Sequence, residues 1–585
     1  MSSRFRRAVL VAGPLSLLVL GFALFGQTGR DDSYISYWPA LTLAERGEIL
    51  NYNLERVEQS STLLWVLVLA ALRWLSGGDL PALGLAGSLV AAVACLTVLA
   101  LGRSAGREGG AVACLLVATQ PFFLYWAWSG AETALAALVL LALAVSWAAL
   151  LSAPTLRPGL LGGALASTLA LVLVRPEGAL VAMAAVVTLS GSWRGQRQRR
   201  GRLALLGAGS AVTWASVLGF RLLYFGALQP QPVAAKVGTL SWATWTRGWR
   251  YLERALMETP ALSPVLALAL AALVIQLLKT RQAEDDPRSS LLCVAASLAL
   301  AQLGFVVAVG GDWMENGRFL APMVPLLAVV LVATLERWLP SPLRFRLAVL
   351  ILIVLQLIAT VGVARRSSTG TDLLTRRELP PALAQSLEAQ GLSPAERGNL
   401  LRWRDVQALE QLHRLLDRLL PALERPVSIL SGQMGMVAYH TARRHPGAVR
   451  FVDRYGLVSR DLTDCPVTRH VPRGPLGLLL TPARFHSLQQ ELEARCGLAP
   501  PDVIFDLFAE RGSLRYLERA GYFVTFEQRG RVPPALDGFR RQAFRAEQFI
   551  AVRRDLAERL GLSETVRREI GPPSSGEPEE GRVLP

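Results

Sequence analysis

The sequence contains few charged residues for its length. Only 18% of its 585 residues are charged, while 52% are hydrophobic and the mean hydropathy is +0.36. A soluble protein carries roughly 25% charged residues, so the apolar excess must be buried in something other than the protein's own cores. This composition excludes an ordinary water-soluble enzyme.

Lysine is scarcer still, although the protein is strongly basic. The 61 basic and 45 acidic side chains give a net charge of +16. Lys236 and Lys279 are nevertheless the only lysines, and the arginines stand mainly beside apolar runs. Arginine next to a hydrophobic span is normally an orientation signal. The charge therefore favours a membrane protein over one that binds nucleic acid.

Residue patterns that hold metals or nucleotides are missing from the sequence. All five histidines lie beyond residue 400, without HxH or HExxH spacing and without a cysteine at zinc-site distance. We therefore assign no metal ligands and no certain cofactor, and leave a divalent ion at an acidic pair as an option. The lack of a Walker-type glycine loop argues against ATP-driven transport.

Long apolar runs occupy the first 364 residues of the chain. A bilayer core is about 30 Å thick and requires about 20 apolar residues in a helix. Runs of this kind predict a polytopic α-helical protein with eleven crossings, at residues 8–26, 82–101, 110–126, 133–151, 159–174, 178–190, 203–225, 259–278, 289–309, 318–337 and 345–364.

Loop charge predicts the orientation of these helices. Three arginines precede the first run, which indicates an uncleaved anchor whose far end lies outside. The stretch 62–75 is short and contains Arg73, so we expect it to lie in the interface rather than cross. The loops around Arg103, Arg107 and Arg194 then fall inside, as the positive-inside rule requires, and the chain after residue 364 falls outside.

The predicted organisation has three parts. Residues 1–364 form a membrane domain whose first external loop spans 27–81. Residues 365–570 form an extracytoplasmic α/β domain, because short β-like runs alternate there with helical stretches. Residues 571–585 are rich in proline, glycine and glutamate and are expected to be disordered.

The five cysteines divide between these parts. Cys95, Cys114 and Cys293 lie in apolar segments, where we expect them to serve as packing residues. Cys465 and Cys496 lie in the α/β domain and would pair in an oxidising compartment. Two unpaired thiols fit the sequence equally well.

Polar residues near the membrane concentrate in the loops that are predicted to lie outside. Ionisable groups at membrane depth are costly and are functional candidates by default, although any one of them alone could simply make a short loop polar. Their gathering on one face predicts a site there, built from Asp31-Asp32, Glu55, Glu58, Glu132, Arg175-Pro176-Glu177, Lys236 and the segment 312–318.

Six segments occur along the chain in this order: Asp31-Asp32, 51–61, Ser129-Gly130-Ala131-Glu132, Arg175-Pro176-Glu177-Gly178, 224–237 and 310–322. Together they resemble the polytopic glycosyltransferases of the GT-C fold, closest to the mycobacterial-type branch that adds terminal arabinofuranose. In that family, glycine usually stands at the position of Gln59, leucine at that of Ala131, and proline-asparagine where this sequence has Pro230 and Gln231.

The resemblance implies a reaction and a place for it. It implies transfer of a sugar, with arabinofuranose as first choice, from a polyprenyl-phosphate donor to a glycan of the cell envelope, with inversion. The site would face outward from the cytoplasmic membrane of a bacterium. The departures at Gln59, Ala131 and Gln231 leave the sugar, the linkage and the acceptor open.

This chemistry requires a base and fixed positive charge. A sugar hydroxyl becomes a good nucleophile only as its proton is removed, and Asp31 is our first choice for the base, with Asp32 orienting it or contacting the acceptor. A leaving phosphate needs cations where its charge develops. Arg318 is the first choice because glycines around it permit close approach of a ligand, followed by Lys236 and Arg175. The alternatives are helix capping for the aspartates and lipid anchoring for the arginines.

Further polar and aromatic residues are weaker candidates. Glu132 and Glu177 begin two helices, where a carboxylate complements the helix dipole, so a structural role is the default for both. The tryptophans near helix ends are expected to form an aromatic belt. Possible substrate-binding residues are Tyr34, Glu58, Glu132, Glu177 and Asp312.

Two functions of other classes compete with the glycosyltransferase. A transporter or flippase of a lipid-linked glycan would need ionisable groups near the bilayer midplane and often an internal repeat, and neither is evident. An envelope scaffold with a receptor-like outer domain would leave Asp31 and Arg318 dispensable. A GT-C enzyme with another sugar or acceptor is the alternative within the same class.

Overall fold

The structure is a computed structural model that describes most of the chain. It covers residues 3–25, 31–102, 109–192, 197–236, 241–257, 263–279, 287–312, 314, 316–366, 403–474, 477–506, 517–530, 546–563 and 565–570. Arg103, Arg107, Arg194 and the predicted disordered tail 571–585 lie outside these residues.

The chain divides into two compact units, and each draws on separate stretches of sequence. The helical unit comprises Met1–Ser33, Ser61–Gln229 and Thr239–Arg377. The sheet unit comprises Tyr34–Ser60, Pro230–Gly238 and Glu378–Pro585. Two short segments from the first 364 residues therefore pack with the C-terminal part of the chain.

Helices account for nearly all of the described residues before 367. In chain order they are α1 (Ser3–Leu24), α2 (Ser33–Arg46), α3 (Leu63–Ser76), α4 (Leu80–Leu101), α5 (Gly109–Ala118), α6 (Pro121–Ala127), α7 (Thr133–Ser152), α8 (Pro158–Val174), α9 (Gly178–Ser192), α10 (Arg197–Phe225), α11 (Gln231–Lys236), α12 (Trp242–Met257), α13 (Ser263–Lys279), α14 (Pro287–Ala308), α15 (Val324–Trp338) and α16 (Pro342–Arg366).

Among the described residues, six helices are long and apolar enough to cross a bilayer. They are α4, α7, α10, α14, α15 together with its preceding 3₁₀ turn, and α16. Helices α5 and α6 pass the same test as one broken span, and α1, α3, α8, α9 and α13 contain shorter apolar stretches. The chain is a polytopic helical membrane protein. Each of the eleven predicted runs overlaps a helix, and the count of eleven crossings stays a prediction.

The run predicted as a single span at 110–126 is bent by 67° between α5 and α6. Pro121 lacks an N–H and pushes the preceding residue out of the helical conformation. Gln120 accordingly adopts an extended backbone, and its side chain accepts a hydrogen bond from the Phe123 N–H at 2.7 Å. Thr360 of α16 donates to the Thr119 carbonyl at 2.9 Å, which satisfies backbone that the bend exposes.

One of the arginines predicted as an orientation signal also caps a helix. Arg202 is buried and donates to the carbonyls of Leu150, Leu151 and Ala153, at 3.0, 3.3 and 2.5 Å. These carbonyls belong to the end of α7, where backbone acceptors lack partners within the helix. The charge therefore stabilises the terminus of a neighbouring helix, in keeping with the helix dipole.

The sheet unit is built on a six-stranded mixed sheet of described residues. Its strand order is β2-β1-β5-β7-β6-β8, with β1 parallel to β2 and β5, β7 antiparallel to β5 and β6, and β8 parallel to β6. The strands are β1 (Val427–Ser431), β2 (Val449–Asp453), β3 (Arg473–Gly474), β4 (Gly477–Leu478), β5 (Val503–Asp506), β6 (Tyr522–Gly530), β7 (Ala546–Arg553) and β8 (Val566–Ile570).

Five further helices of described residues accompany this sheet. The pair β3 and β4 forms a separate two-stranded sheet. The core combines the apolar residues of the strands with helix residues such as Phe485 and Leu492. The helices are α17 (Trp403–Leu419), α18 (Met436–Arg444), α19 (Pro482–Ser487), α20 (Gln489–Cys496) and α21 (Arg554–Arg559).

The segment 34–60 is attached to the sheet through its asparagines. Strand β2 lies at one edge of the sheet, where backbone groups need other partners. The Asn53 side chain donates to the Phe451 carbonyl at 2.9 Å and accepts from the Phe451 N–H at 2.7 Å. An amide side chain thus replaces a neighbouring strand, and Asn51 adds a hydrogen bond to the Val458 carbonyl at 3.1 Å.

Cys465 and Cys496 form a disulfide with a Cα–Cα distance of 5.6 Å. The structure therefore chooses between the two alternatives that the sequence left open. The bond joins the chain before a short 3₁₀ turn at Pro466–Thr468 to the end of α20.

We expect replacement of both disulfide cysteines by serine to lower the free energy of unfolding of the sheet unit by about 3 to 4 kcal/mol. The reason is that the bond closes a loop with a sequence separation of 31 residues, and its loss frees the unfolded chain. Denaturant unfolding of the full-length protein measures the effect. An unchanged unfolding midpoint, or a non-reduced digest without the linked peptide, would contradict the assignment.

Candidate functional site

The candidate site of the helical unit is centred on Arg318, in the segment that joins α14 to α15. This segment turns sharply, because Gly310, Gly311, Asn316 and Gly317 all have positive φ angles. A Cβ atom at residue 317 would lie 2.8 Å from Cδ2 of Phe122, so the close approach requires glycine there. The glycines singled out in the sequence therefore position the arginine.

Three carboxylates from three parts of the chain surround the Arg318 guanidinium. Its Nη2 lies 3.1 Å from Oε1 of Glu132, and its Nη1 lies 3.4 Å from Oδ2 of Asp32 and 4.0 Å from Oδ2 of Asp312. The Arg318 side chain is 12% exposed, and that of Asp32, at 22%, is the most exposed of the three acids. The structure thus brings together three of the predicted site residues around a fourth.

Glu132 binds a second arginine as well. Nη2 of Arg175 lies 3.1 Å from the same oxygen, Oε1, and both side chains are buried. Glu132 stands at the N-cap of α7 but makes no capping hydrogen bond. Its role is therefore more specific than complementing a helix dipole, because it carries the countercharge of two guanidinium groups.

Electrostatics separate the two buried glutamates. Burial alone would raise the pKa of Glu132, but Arg318 and Arg175 outweigh it and hold that pKa below its ordinary value. Burial dominates for Glu177 and raises its pKa, although Arg175 acts in the opposite direction. The two arginines therefore favour the charged form of Glu132, whereas burial opposes the charge of Glu177.

Aromatic rings and a thioether complete the surroundings of the two arginines. The Arg318 guanidinium lies 5.7 Å from the ring of Trp126, and that of Arg175 lies 5.6 Å from the ring of Phe319. Sδ of Met314 accepts a hydrogen bond from Arg318 at 3.0 Å. Within the described residues, Nε of each arginine is buried without a hydrogen-bond partner. Each arginine therefore has at least one N–H that no described residue satisfies.

The two aspartates of the acidic pair differ in their surroundings. Asp32 is half-buried and contacts Arg318, whereas Asp31 is exposed to solvent. The structure thus distinguishes two residues that the sequence could not separate. Helix α2 begins directly after them, at Ser33, whose hydroxyl donates to the Ser129 carbonyl at 3.3 Å.

Three further candidates, Tyr34, Glu58 and Lys236, lie in the sheet unit. Tyr34 is fully buried, with its ring 5.1 Å from that of Tyr37 and 5.3 Å from that of Tyr439. Glu58 is buried, and its backbone carbonyl accepts a hydrogen bond from the Gln231 N–H at 2.9 Å. Lys236 is half-buried at the end of α11. Tyr34 is thus part of an aromatic core.

A loop after β2 anchors the other segments of the sheet unit. The Asp453 carboxylate accepts N–H groups of Tyr455, Leu457 and Val458 at 2.9, 2.5 and 2.8 Å, while burial raises its pKa to about 6. Gln231 donates to the carbonyl of Gly456 at 2.9 Å. Gln231 is one of the sequence departures, and its physical role is to bind segment 230–236 to this loop.

The predicted aromatic belt is wrong for several of its members. Trp38, Trp65, Trp126 and Trp128 are buried inside the protein, where their large apolar rings pack against other residues. Trp126 also donates a hydrogen bond to the Asn316 carbonyl at 2.8 Å. The tryptophans of α12 are exposed instead. The contacts of Trp126, Met314 and Phe319 with the arginines were not predicted from the sequence. The one signal for them there is that Phe319 follows Arg318.

In the part of the chain that the structure describes, no three His, Cys, Asp or Glu side chains are arranged to hold a metal ion. The Asp32 oxygen that faces the site contacts a guanidinium.

No family model matches the chain, and no curated protein matches its sequence. Among solved structures, it is similar to ArnT from Cupriavidus metallidurans bound to undecaprenyl phosphate, at 13% identity over 94% of this chain and 98% of ArnT, with a TM-score of 0.47. It is also similar to the archaeal oligosaccharyltransferase AglB from Archaeoglobus fulgidus in complex with an inhibitory peptide and a dolichol-phosphate, at 11% identity over 86% and 69% of the two chains, with a TM-score of 0.49. Arabinosyltransferase EmbB from Mycobacterium smegmatis is 14% identical over 64% of this chain and 42% of its own, with a TM-score of 0.37.

We expect Glu132→Gln to lower the free energy of unfolding by about 3 to 5 kcal/mol at neutral pH, because it leaves two buried arginines without their shared countercharge. Since the pKa of Glu132 is lowered in the folded protein, this stabilisation is present above the ordinary carboxyl pKa and is lost as the pH falls below it. Thermal unfolding in detergent measures the loss.

Glu177→Gln is the matched control for this experiment. Burial raises the pKa of Glu177 and so opposes its charge, and an amide removes this charge while keeping nearly the same shape, so we expect a smaller loss than in Glu132→Gln. Equal losses in the two variants would contradict the assignment of charge to Glu132.

Proposed function

We propose that this protein is an inverting glycosyltransferase that transfers a sugar from a polyprenyl-phosphate donor to a hydroxyl of an envelope glycan. Arabinofuranose is the first choice for the sugar, on the resemblance of the sequence segments. The observation that carries the proposal is the 3.4 Å contact between Asp32 and Arg318. It joins a carboxylate of the acidic pair to a cation suited to phosphate.

The proposed reaction exchanges one bond at the anomeric carbon for another. The acceptor oxygen attacks this carbon, the carbon–oxygen bond to the donor phosphate breaks, and the configuration inverts. The acceptor proton passes to a carboxylate, and the bond electrons leave with the phosphate. A phosphate departs as an anion, so no second carboxylic acid is required to protonate it, in contrast to glycoside hydrolysis.

Arg318 and Arg175 are proposed to bind the donor phosphate. A guanidinium can donate two parallel hydrogen bonds to phosphate oxygens, and each of these arginines has a buried Nε without a partner among the described residues. Glu132 holds both groups on one oxygen. The two cations are therefore fixed before the negative charge develops, which is the condition for electrostatic stabilisation of a transition state.

The donor would also change the acidic pair. Asp32 is the most exposed of the three acids around Arg318, and its contact at 3.4 Å is longer than that of Glu132. A phosphate entering the site would compete with Asp32 for Nη1 of Arg318. We propose that Asp32 then turns to the acceptor and orients it, while the solvent-exposed Asp31 accepts the proton.

The site is proposed to face the outer side of the cytoplasmic membrane. A chain with eleven crossings and its arginine-rich loops inside would have the sheet unit outside. The Cys465–Cys496 disulfide supports this orientation, because such bonds persist in oxidising compartments and are rare in the cytosol.

We expect Asp31→Asn to lower kcat by about 10²- to 10⁴-fold, the usual contribution of a general base. Asp32→Asn should raise KM for the acceptor more than it lowers kcat. The assay uses defined polyprenyl-phosphate sugars and oligosaccharide acceptors, with Glu491→Gln, a change of an exposed acid in the sheet unit, as the control. Full activity in both aspartate variants would rule out the proposed roles.

We expect Arg318→Lys to lower kcat by about 10²-fold or more, since it keeps one positive charge but loses the planar fork that can bind two phosphate oxygens. Undecaprenyl phosphate binding and thermal unfolding are measured in parallel, so that loss of phosphate binding is distinguished from loss of structure. Movement of a lipid-linked glycan across vesicles without a new glycosidic bond would favour a transporter instead.

A further inference from the structure

Helix α12 exposes a row of tryptophans that no described residue covers. Trp242, Trp245 and Trp249 are 85%, 45% and 61% exposed. Their spacing of three and four residues places them on one face of the helix. Gly248, Tyr251 and Ala255 are buried on the other side. Helix α12 is therefore amphipathic in an unusual way, since its outward face is aromatic.

Two arginines are exposed on other sides of α12. At 3.6 residues per turn, Arg250 lies about 100° round the helix from the tryptophan row, and Arg247 lies on the side opposite to it. Arg247 donates to the Thr244 hydroxyl at 3.3 Å. Tryptophan favours the boundary between acyl chains and headgroups, and exposed arginine favours the phosphates of that region. The two residue types together match the chemistry of a lipid surface.

The packing of α12 places it level with the end of a bilayer-spanning helix. A Cβ atom at residue 248 would lie 2.2 Å from the carbonyl oxygen of Val307, so glycine allows the two backbones to touch. Val307 is the penultimate residue of α14, one of the six helices able to cross a membrane. A helix that crosses the end of such a span lies at the depth of the lipid headgroups.

The buried side of α12 carries the segment that holds Arg318. A Cβ atom at Gly311 would lie 2.5 Å from Cβ of Tyr251. The Tyr251 hydroxyl accepts a hydrogen bond from the Phe319 N–H at 3.3 Å, and the Phe319 ring lies against the Arg175 guanidinium. One side of α12 thus contacts the arginine segment, while the other is open to lipid.

We propose that α12 binds the bilayer surface, with its tryptophans at the acyl–headgroup boundary and Arg250 on the phosphates of anionic phospholipids. The bound surface holds α12 in place, and Tyr251 transmits this restraint to the Arg318 segment. Each arginine near an anionic surface favours binding by about fivefold. The effect of this restraint on donor binding rests on the proposed function, whereas the lipid contact does not.

Fluorescent probes on the full-length protein test the lipid contact. Trp245→Cys and Arg247→Cys are compared in a protein whose Cys95, Cys114 and Cys293 are replaced by alanine, in nanodiscs of phosphatidylcholine with or without phosphatidylglycerol. Lipids with a nitroxide at acyl carbon 5 should quench the probe at 245 about twofold more than the one at 247, and aqueous iodide should show the reverse. Equal quenching at both positions, by lipid or by iodide, would overturn the proposal.

Two further variants test the partner and the restraint. Arg250→Gln should abolish the effect of phosphatidylglycerol on quenching at 245, and an unchanged effect would overturn the assignment to lipid phosphates. Tyr251→Phe should weaken undecaprenyl phosphate binding severalfold while quenching at 245 stays the same; unchanged binding would overturn the restraint. If wild type fails to bind undecaprenyl phosphate at all, the proposed function fails and the quenching result still decides the lipid contact.

Discussion

The helical unit depends on one buried carboxylate that neutralises two arginines. Glu132 receives Arg318 and Arg175 on a single oxygen, at 3.1 Å each. Two guanidinium groups without a countercharge could not remain at this depth, because desolvation of a charge costs several kcal/mol. The start of α7, the end of α8 and the segment before α15 are therefore joined by electrostatics rather than by apolar packing alone.

The same arrangement explains why the surroundings are aromatic and rich in glycine. Trp126 and Phe319 cover the guanidinium groups without competing for their N–H donors, as cation–π contacts allow. Gly317 brings the backbone close enough to Phe122 for Arg318 to reach Glu132. The site therefore contains positive charge that the protein holds in place, together with N–H groups that no described residue satisfies.

The sheet unit shows a different use of polar side chains. Asn53, Gln231 and Asp453 bind backbone groups and so attach two distant segments to a mixed sheet. Amides can act as donor and acceptor at once, which is why Asn53 can occupy the edge of β2. Gln231, where this sequence differs from the family that it resembles, thus helps to hold the sheet unit together.

The amino-acid sequence by itself determined the apolar runs, the acidic pair and the glycines around Arg318, because hydrophobic length and glycine's backbone freedom act locally. It could not reveal that Trp126 is buried, that the run at 110–126 bends, or that Cys465 pairs with Cys496. For Glu132 it indicated a helix-end role by default and substrate binding as the weaker alternative, but not the countercharge of two arginines. Those features were decided by the tertiary structure, since a charge becomes a shared countercharge, and a ring becomes buried, only when residues far apart in the chain meet at low dielectric.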